Sequence, residues 1–495
     1  MIHKNALILS LIILLLGFTS SKPPSIETPL VLSDDKASDK SRPNVILIMA
    51  DDLGWGDVGF NGHPYIKTPY LDQMAANGAQ LNRFYAAGPV CSPTRGSVLT
   101  GRNPNRFGVR SANSGHLREQ EITLAELFRS KGYDTAHFGK WHLGTLYNDF
   151  SGKGPKRKPE ENFMNPSMAG FDYWFSTEFS IATYNPYIRD KEHAHSNYWL
   201  KEGDKRVLFV ENGNPVDELK GCASEMVMDK VIPFVETSVE KQNPFFTVVW
   251  FHAPHTPVIG HPKYMEELYS DRPEEEQHYF SVITALDAQV GRLREKLSDL
   301  GIADNTIICF TSDNGPEGNP DVRKRSRGST AGLRGRKRSL YEGGIRVPSV
   351  MEWPSGIRPG TIVETPAVTS DYFPTFSHLL SEKLPNRPID GVNLLEILKG
   401  EKSQRDRPIG FYFNSHKQRV LIDDRYKLVH NFGKNRPSSD NSELPSLEFE
   451  LYDIIEDQYE TNNIIAEYSE IAESMKTKLR DFVDSCENSF NRNDY

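Results

Sequence analysis

Four short apolar runs punctuate the first two thirds of the chain: NVILIM at residues 44–49, DTAHF at 134–138, FFTVVWF at 245–251 and TIICF at 306–310. Between them lie amphipathic stretches of helical period, such as 122–131 and 276–299. Continuous β-rich runs alternating with helices are what a mostly parallel sheet produces when both of its faces are covered. The pattern therefore predicts an α/β domain, with the sheet sandwiched by helices, over residues 43–400. Beyond about residue 400 the texture changes. RPIGFYF, RVLIDDRYKLVHN and FELYDII alternate apolar and polar positions, and 464–485 reads as one amphipathic helix. Period-two alternation marks half-buried strands, so 401–495 is expected to be a smaller α+β domain with an antiparallel sheet and a terminal helix.

The N-terminus carries Lys4, an apolar run Ala6–Phe18, and then Thr19, Ser20 and Ser21. That is the layout of a signal peptide, assigned to residues 1–21, with a run too short to span a bilayer. Residues 22–42, rich in Ser, Pro, Asp and Lys, read as a flexible leader. The mature protein is thus expected to be exported, periplasmic or secreted, with no stable membrane anchor. The full chain of 495 residues carries a formal charge of -9, which gives no global attraction to nucleic acid. Four cysteines with no pair at C-x-x-C spacing exclude a disulfide scaffold and a thiolate zinc site, leaving room for one disulfide among Cys222, Cys309 and Cys486.

Ligands of an open α/β sheet bind outside the carboxyl ends of its strands. The four runs lead into Asp51 and Asp52; into Lys140, Trp141 and His142; into His252 and His255; and into Asp313 and Asn314. If these strands are neighbours, one edge of the sheet collects a metal site beside an anion site. Oxygen donors from Asp51, Asp52, Asp313 and Asn314 favour a hard cation, Ca²⁺ or Mg²⁺, over zinc. Asp-Asp and Asp-Asn-Gly are also ordinary turn sequences, but two such pairs at strand ends favour ligands. In CSPTRGSVLTGR, residues 91–102, Ser92 is a candidate helix cap and Pro93 a candidate first helical residue. Cys91 then sits at a helix N-terminus, where the dipole would lower its pKa, and becomes a candidate nucleophile with Arg95 one turn away. Cys309, inside its strand, reads as structural.

Cys91-Ser92-Pro93-Thr94-Arg95 resembles the C-x-P-x-R signature of type I sulfatases, and NVILIMADDLGWGD, GKWHLG, HAPHTP, TSDNG and GRKRSLYEGGIRVP follow the order of that family's accessory motifs. The resemblance covers nearly the whole mature chain and implies an alkaline-phosphatase-like fold. It implies that Cys91 is oxidised to formylglycine (3-oxoalanine) by a formylglycine-generating enzyme, the partner in maturation. It also implies one Ca²⁺, ahead of Mg²⁺, on Asp51, Asp52, Asp313 and Asn314, with position 91 or the substrate completing the shell. By the same resemblance Arg95 holds the formylglycine, whose hydrated form attacks sulfur. Lys140, His255 and Lys337 contact sulfate oxygens, His255 protonates the leaving oxygen with Lys337 as a second candidate, and His142 is the base that frees the bound sulfate. Trp141 and the segment Glu342–Pro348 are assigned structural roles.

Eight basic residues lie within 321–338, including Arg323, Lys324, Arg325, Arg327 and Arg334, and this strip, Arg334 in particular, is read as substrate-binding. Aromatic residues over 147–220, such as Phe171, Tyr173, Trp174, Tyr184, Tyr198 and Trp199, are either a sugar-stacking surface or a local core. Together these features point to a sulfated poly- or oligosaccharide as substrate, as for the sulfatases of marine bacteria that degrade algal polysaccharides such as ulvan. The alternatives are an arylsulfatase or glycosaminoglycan sulfatase, a phosphatase or phosphodiesterase of the same superfamily, and a catalytically silent sulfoglycan-binding relative.

Overall fold

The computed structural model describes residues 42–151, 157–187, 208–318, 325–432 and 448–495. The expected signal peptide and nearly all of the leader lie outside these residues. A ten-stranded sheet organises the larger part. Across it the order is Thr361–Val363, Ala79–Leu81, Val350–Glu352, Thr306–Ser312, Asn44–Ala50, Phe245–Trp250, Asp134–Lys140, Tyr173–Thr177, Phe209–Glu211 and Asn214–Pro215. The five strands from Thr306 to Thr177 in that order run parallel to one another, and the antiparallel pairings lie to either side.

The strand Asn44–Ala50 shows why such runs are uniformly apolar. Val45, Leu47 and Met49 enter one core, with Val98 and Leu99 of the helix Cys91–Thr100 and Phe128 of the helix Leu124–Ser130. Ile46, Ile48 and Ala50 enter the opposite core, with Val227 and Val231 of the helix Ala223–Glu240 and Ile283 and Leu286 of the helix Glu274–Asp299. With both faces covered, each fully buried Val, Ile or Leu contributes about 1.5–3 kcal/mol. The helix Leu124–Ser130 opens with a capping box from Thr123 and Glu126.

The C-terminal sheet pairs Ile409–Phe413, Gln418–Ile422, Tyr426–Asn431 and Phe449–Asp453, all antiparallel. Here the alternation divides the side chains between two neighbours. Val420, Val429 and Tyr452 pack with Tyr85, Leu340 and Tyr341. Leu421, Leu428 and Leu451 pack against Met475, Leu479 and Val483 of the terminal helix Ser469–Phe490.

Candidate active site

The register of the parallel strands brings their carboxyl ends together. Ala50 aligns with Ser312 and Met49 with Trp250, while Gly139 aligns with Trp250 from the other side. Gly139 has φ +93, and a Cβ there would lie 2.0 Å from the Trp250 carbonyl oxygen, so only glycine lets the strand deliver Lys140 at this point. Lys140 Nζ then donates to Asp51 Oδ2 at 2.7 Å, with both side chains wholly buried. Arg95 donates to Asp313 Oδ2 at 2.6 Å and to the Lys140 carbonyl at 3.1 Å, and its guanidinium lies over the Trp250 ring. Asp313 Oδ1 accepts from the Asp52 backbone N–H at 3.1 Å. Lys337 Nζ binds both Asp52 oxygens, at 2.5 and 2.7 Å.

These charges shift one another. Burial opposes ionisation of Asp51, yet Lys140, His255, Arg95 and Lys337 together hold it well below the usual carboxylate range. Burial and the neighbouring Asp51 charge push Asp313 up to about 7. Two carboxylates so close cannot both be stable as anions without more positive charge. Asn314 Nδ2 donates to Asp52 and to the Gly315 carbonyl, while its Oδ1 is buried with no hydrogen-bond partner among the described residues. Ligand atoms of Asp51, Asp52, Cys91 and His255 lie within 4.8 Å of one another.

Cys91 opens its helix, but Val90 is the flanking residue and no side chain caps the turn. Ser92, expected as the cap, lies inside the helix, and its Oγ accepts from the Asn113 backbone N–H instead. Cys91 Sγ lies 3.5 Å from Asp51 Oδ1 and 3.9 Å from Asp52 Oδ1. The expected lowering of the thiol pKa does not occur. Burial and the charge of Asp313 push it up to about 12, outweighing the helix end and both lysines. As a thiol, Cys91 is therefore a poor nucleophile at neutral pH.

His142 has φ 59 and its ring Nε2 lies 2.7 Å from Asn113 Oδ1. Asp52, Asn113 and Arg338 likewise sit at positive φ, so strained backbone gathers around this site. His255 Nδ1–H donates to the Thr256 carbonyl at 2.5 Å, and Nε2 lies 3.6 Å from Asp52 Oδ2. Burial pushes His255 down to about 4, so the expected proton donor is neutral in the resting site. Lys337, raised well above its ordinary range by Asp52 despite burial, is the protonated member of the pair. His252 is buried, pushed down to about 3 by burial, and both its ring nitrogens lack a partner among the described residues.

Other expectations require correction. Arg334 is not brought into this group. Its guanidinium stacks on Tyr341 and bonds Tyr452 Oη at 2.8 Å, with Glu450 at 3.5 Å, all in the buried seam with the C-terminal sheet. Most of the basic strip is likewise internally engaged: Arg336 donates to the Glu317 and Gly328 carbonyls, and Arg338 pairs with Glu317. Arg323 and Lys324 lie outside the described residues. Phe171 and Trp174 are core, and Tyr173 stacks on Phe234, so this part of the aromatic region is not a sugar surface. Tyr198 and Trp199 lie outside the described residues. Trp141 is buried and its indole N–H donates to the Met164 carbonyl, as a packing residue should. The turn Glu342–Ile345 sets Gly343 and Gly344 against Gly315, and Glu342 binds Lys427. All four cysteines are buried and unpaired.

Two residues escaped the sequence reading. Ser180 Oγ donates to Asp51 Oδ2 at 2.6 Å, three residues beyond the strand Tyr173–Thr177. That strand also runs parallel to its neighbour, so the strand-end rule applied once more would have found it. Asn113, which orients His142, lies in a loop with no such signal.

The sulfatase family profile matches residues 43–382, more than half of the chain. The chain belongs to the sulfatase family. It is a sulfuric ester hydrolase with the large mostly parallel sheet and small C-terminal antiparallel sheet of that fold. A profile described as N-sulphoglucosamine sulphohydrolase, C-terminal, matches residues 335–485 of this sulfatase. It is 32% identical to mouse N-acetylgalactosamine-6-sulfatase over 78% of the chain and 71% of that protein. It is 30% identical to human arylsulfatase A, over 86% and 83%. The crystal structure of Ps i-CgsB in complex with k-i-k-neocarrahexaose superposes with a TM-score of 0.73 at 26% identity, covering 89% of this chain and 92% of that one. Membership implies a formylglycine and a divalent metal ion. The residues fit both: a crowded carboxylate set, one of them pushed up to about 7, with an orphaned amide oxygen beside it, and a buried cysteine unsuited to act as a thiolate. Among the described residues no helix is long and apolar enough to cross a membrane.

Proposed function

We propose that this sulfatase is exported and removes sulfate from a sulfated carbohydrate, an algal polysaccharide or its oligosaccharides, with ulvan as the first candidate. The observation that carries the sulfate chemistry is the cluster in which Cys91 faces two carboxylates flanked by Arg95, Lys140 and Lys337. The likeness to a structure bound to a carbohydrate hexaose supports the substrate class. When present, formylglycine at position 91 supplies a hydrated aldehyde as nucleophile, and Ca²⁺ on Asp51, Asp52, Asp313 and Asn314 offsets the charge of the sulfate.

The chain's own residues do the rest. Arg95, fixed by Asp313 and stacked on Trp250, holds position 91 at the start of its helix. Lys140, bound to Asp51, and Lys337, bound to Asp52, meet the charge that moves from sulfur to the leaving oxygen. Lys337 carries the proton for that oxygen, and neutral His255 beside it relays or positions it. His142, oriented by Asn113, is the base that takes a proton as sulfate is released.

The test is inorganic sulfate release from ulvan, carrageenan, fucoidan, glycosaminoglycans and an aryl sulfate. The enzyme is co-expressed with a formylglycine-generating enzyme and compared with Cys91→Ala. Release from an algal polysaccharide or its oligosaccharides, absent in the variant, is the expected result. Release from glycosaminoglycans or the aryl sulfate alone would overturn the substrate assignment while leaving the chemistry in place.

A further inference from the structure

Away from the strand-end cluster, Cys222, Glu225 and His261 bring a thiol, a carboxylate and an imidazole together, with one ligand atom from each within 4.8 Å of the others. We propose that these three residues form a second metal site, for a zinc-class divalent cation, separate from the oxygen-rich calcium site. The spacing argument from paired cysteines misses it, because the donors are Cys222 and Glu225 at the start of the helix Ala223–Glu240 and a histidine 39 positions beyond Cys222 (261 − 222).

Three observations carry the assignment. A mixed sulfur, nitrogen and oxygen set suits zinc or cobalt and disfavours Ca²⁺ or Mg²⁺. His261 Nε2 lies 3.2 Å from Glu225 Oε1, close to the roughly 3.3 Å that separates two ligands of one tetrahedral ion with bonds near 2.0 Å. Tyr184 and Tyr264 pack their rings on the imidazole and fix its plane, and the Tyr184 backbone bridges to Cys222. Glu225 is half exposed, which leaves an approach from solvent and room for water as a fourth ligand. On binding, the Cys222 thiol loses its proton to solvent as the metal–sulfur bond forms; no oxidation is involved.

The site ties down the segment that begins at His252 and His255 and ends at His261. That segment is also tied to the start of the same helix through Thr183, which accepts from the Ile259 backbone N–H and donates to the Ile259 carbonyl, each at 2.8 Å, while its own carbonyl accepts from the Ala223 backbone N–H at 3.0 Å. The cation is therefore a staple between the helix Ala223–Glu240 and the histidine loop.

The test uses full-length protein carrying Cys91→Ala, so that position 91 offers no thiolate, stripped with chelator and reloaded with Ca²⁺. Titration with Co²⁺ should produce a near-ultraviolet thiolate-to-cobalt charge-transfer band saturating at one equivalent. Addition of Zn²⁺ should abolish the band and raise Tm. In Cys222→Ser the band is lost, and in His261→Ala and Glu225→Gln it weakens or shifts to higher Co²⁺ concentration. No band in protein whose circular dichroism matches the untreated enzyme, or a band unchanged in Cys222→Ser, overturns the proposal.

Discussion

Two buried ion clusters in this enzyme pair carboxylates with cations in the same way and differ in what else they bring to those carboxylates. In the seam with the C-terminal sheet, Lys427 lies between Glu342 at 2.9 Å and Glu460 at 2.8 Å, and Glu460 Oε2 accepts the Glu342 backbone N–H. Arg334, Glu450, Tyr341 and Tyr452 continue the same network. At the strand ends, Asp51, Asp52 and Asp313 are also paired, with Lys140, Lys337 and Arg95, yet the Asn314 amide oxygen and both nitrogens of His252 remain without partners among the described residues. The seam cluster holds carboxylates, cations and phenols that serve one another across two sheets, whereas the strand-end cluster also gathers the Cys91 thiol and the His255 imidazole around its carboxylates and is built to receive something.

The comparison breaks most sharply at Cys91. Cys91→Ala should lower sulfate release by about four orders of magnitude or more, because the nucleophile is lost. Thermal unfolding should move little, since the thiol's contacts are weak ones with Asp51 and Asp52. Asp313→Asn should lower turnover about a thousandfold through loss of metal charge, worth several kcal/mol. It should change the stability of the metal-free protein by about 1–3 kcal/mol, because relief of a carboxyl pushed up to about 7 by burial is offset by the amide nitrogen, which cannot replace the oxygen that accepts from the Asp52 backbone N–H. Metal analysis and calorimetry of one preparation check both halves.

Lys427→Met reverses that pattern. Two buried carboxylates lose their cation, so stability should fall by about 3–5 kcal/mol while sulfate release per folded molecule stays close to wild type. Urea melts combined with activity at low denaturant read the two effects separately. The smallest effect lies outside both clusters. His63 Nδ1 accepts backbone N–H bonds from Tyr65 and Ile66, and burial pushes its pKa down to about 4. Protonation is thus disfavoured in the folded state, so its contribution is present above about 6.5 and is lost as pH falls from there through 4. The Tm gap between wild type and His63→Asn should narrow over that interval.

The α/β domain was legible because each parallel strand is buried on both faces and so reads as an unbroken apolar run. The C-terminal sheet was legible because its two faces meet different partners. Asp51, Asp52, Lys140, Asp313 and Asn314 were legible because a strand end is a position in sequence. Arg334 misled for a physical reason: a basic run tells the sign of its charges and not which groups fold back onto them, and the Glu450 carboxylate and the Glu460 carbonyl that meet it lie more than a hundred residues away in the chain. The Cys91 pKa misled because the helix end can be read locally, whereas burial beside Asp313 depends on the whole sheet. Asn113 gave no signal, since its role follows from a loop meeting His142 across the site.

The central claim is that position 91 acts as an aldehyde within this cluster. The most direct measurement pairs the mass of the peptide carrying residue 91 with sulfate release from the same preparation, across samples matured to different extents. The account predicts release proportional to the aldehyde fraction, falling to background when residue 91 is a thiol. Equal release from protein that carries only the unmodified cysteine would contradict it.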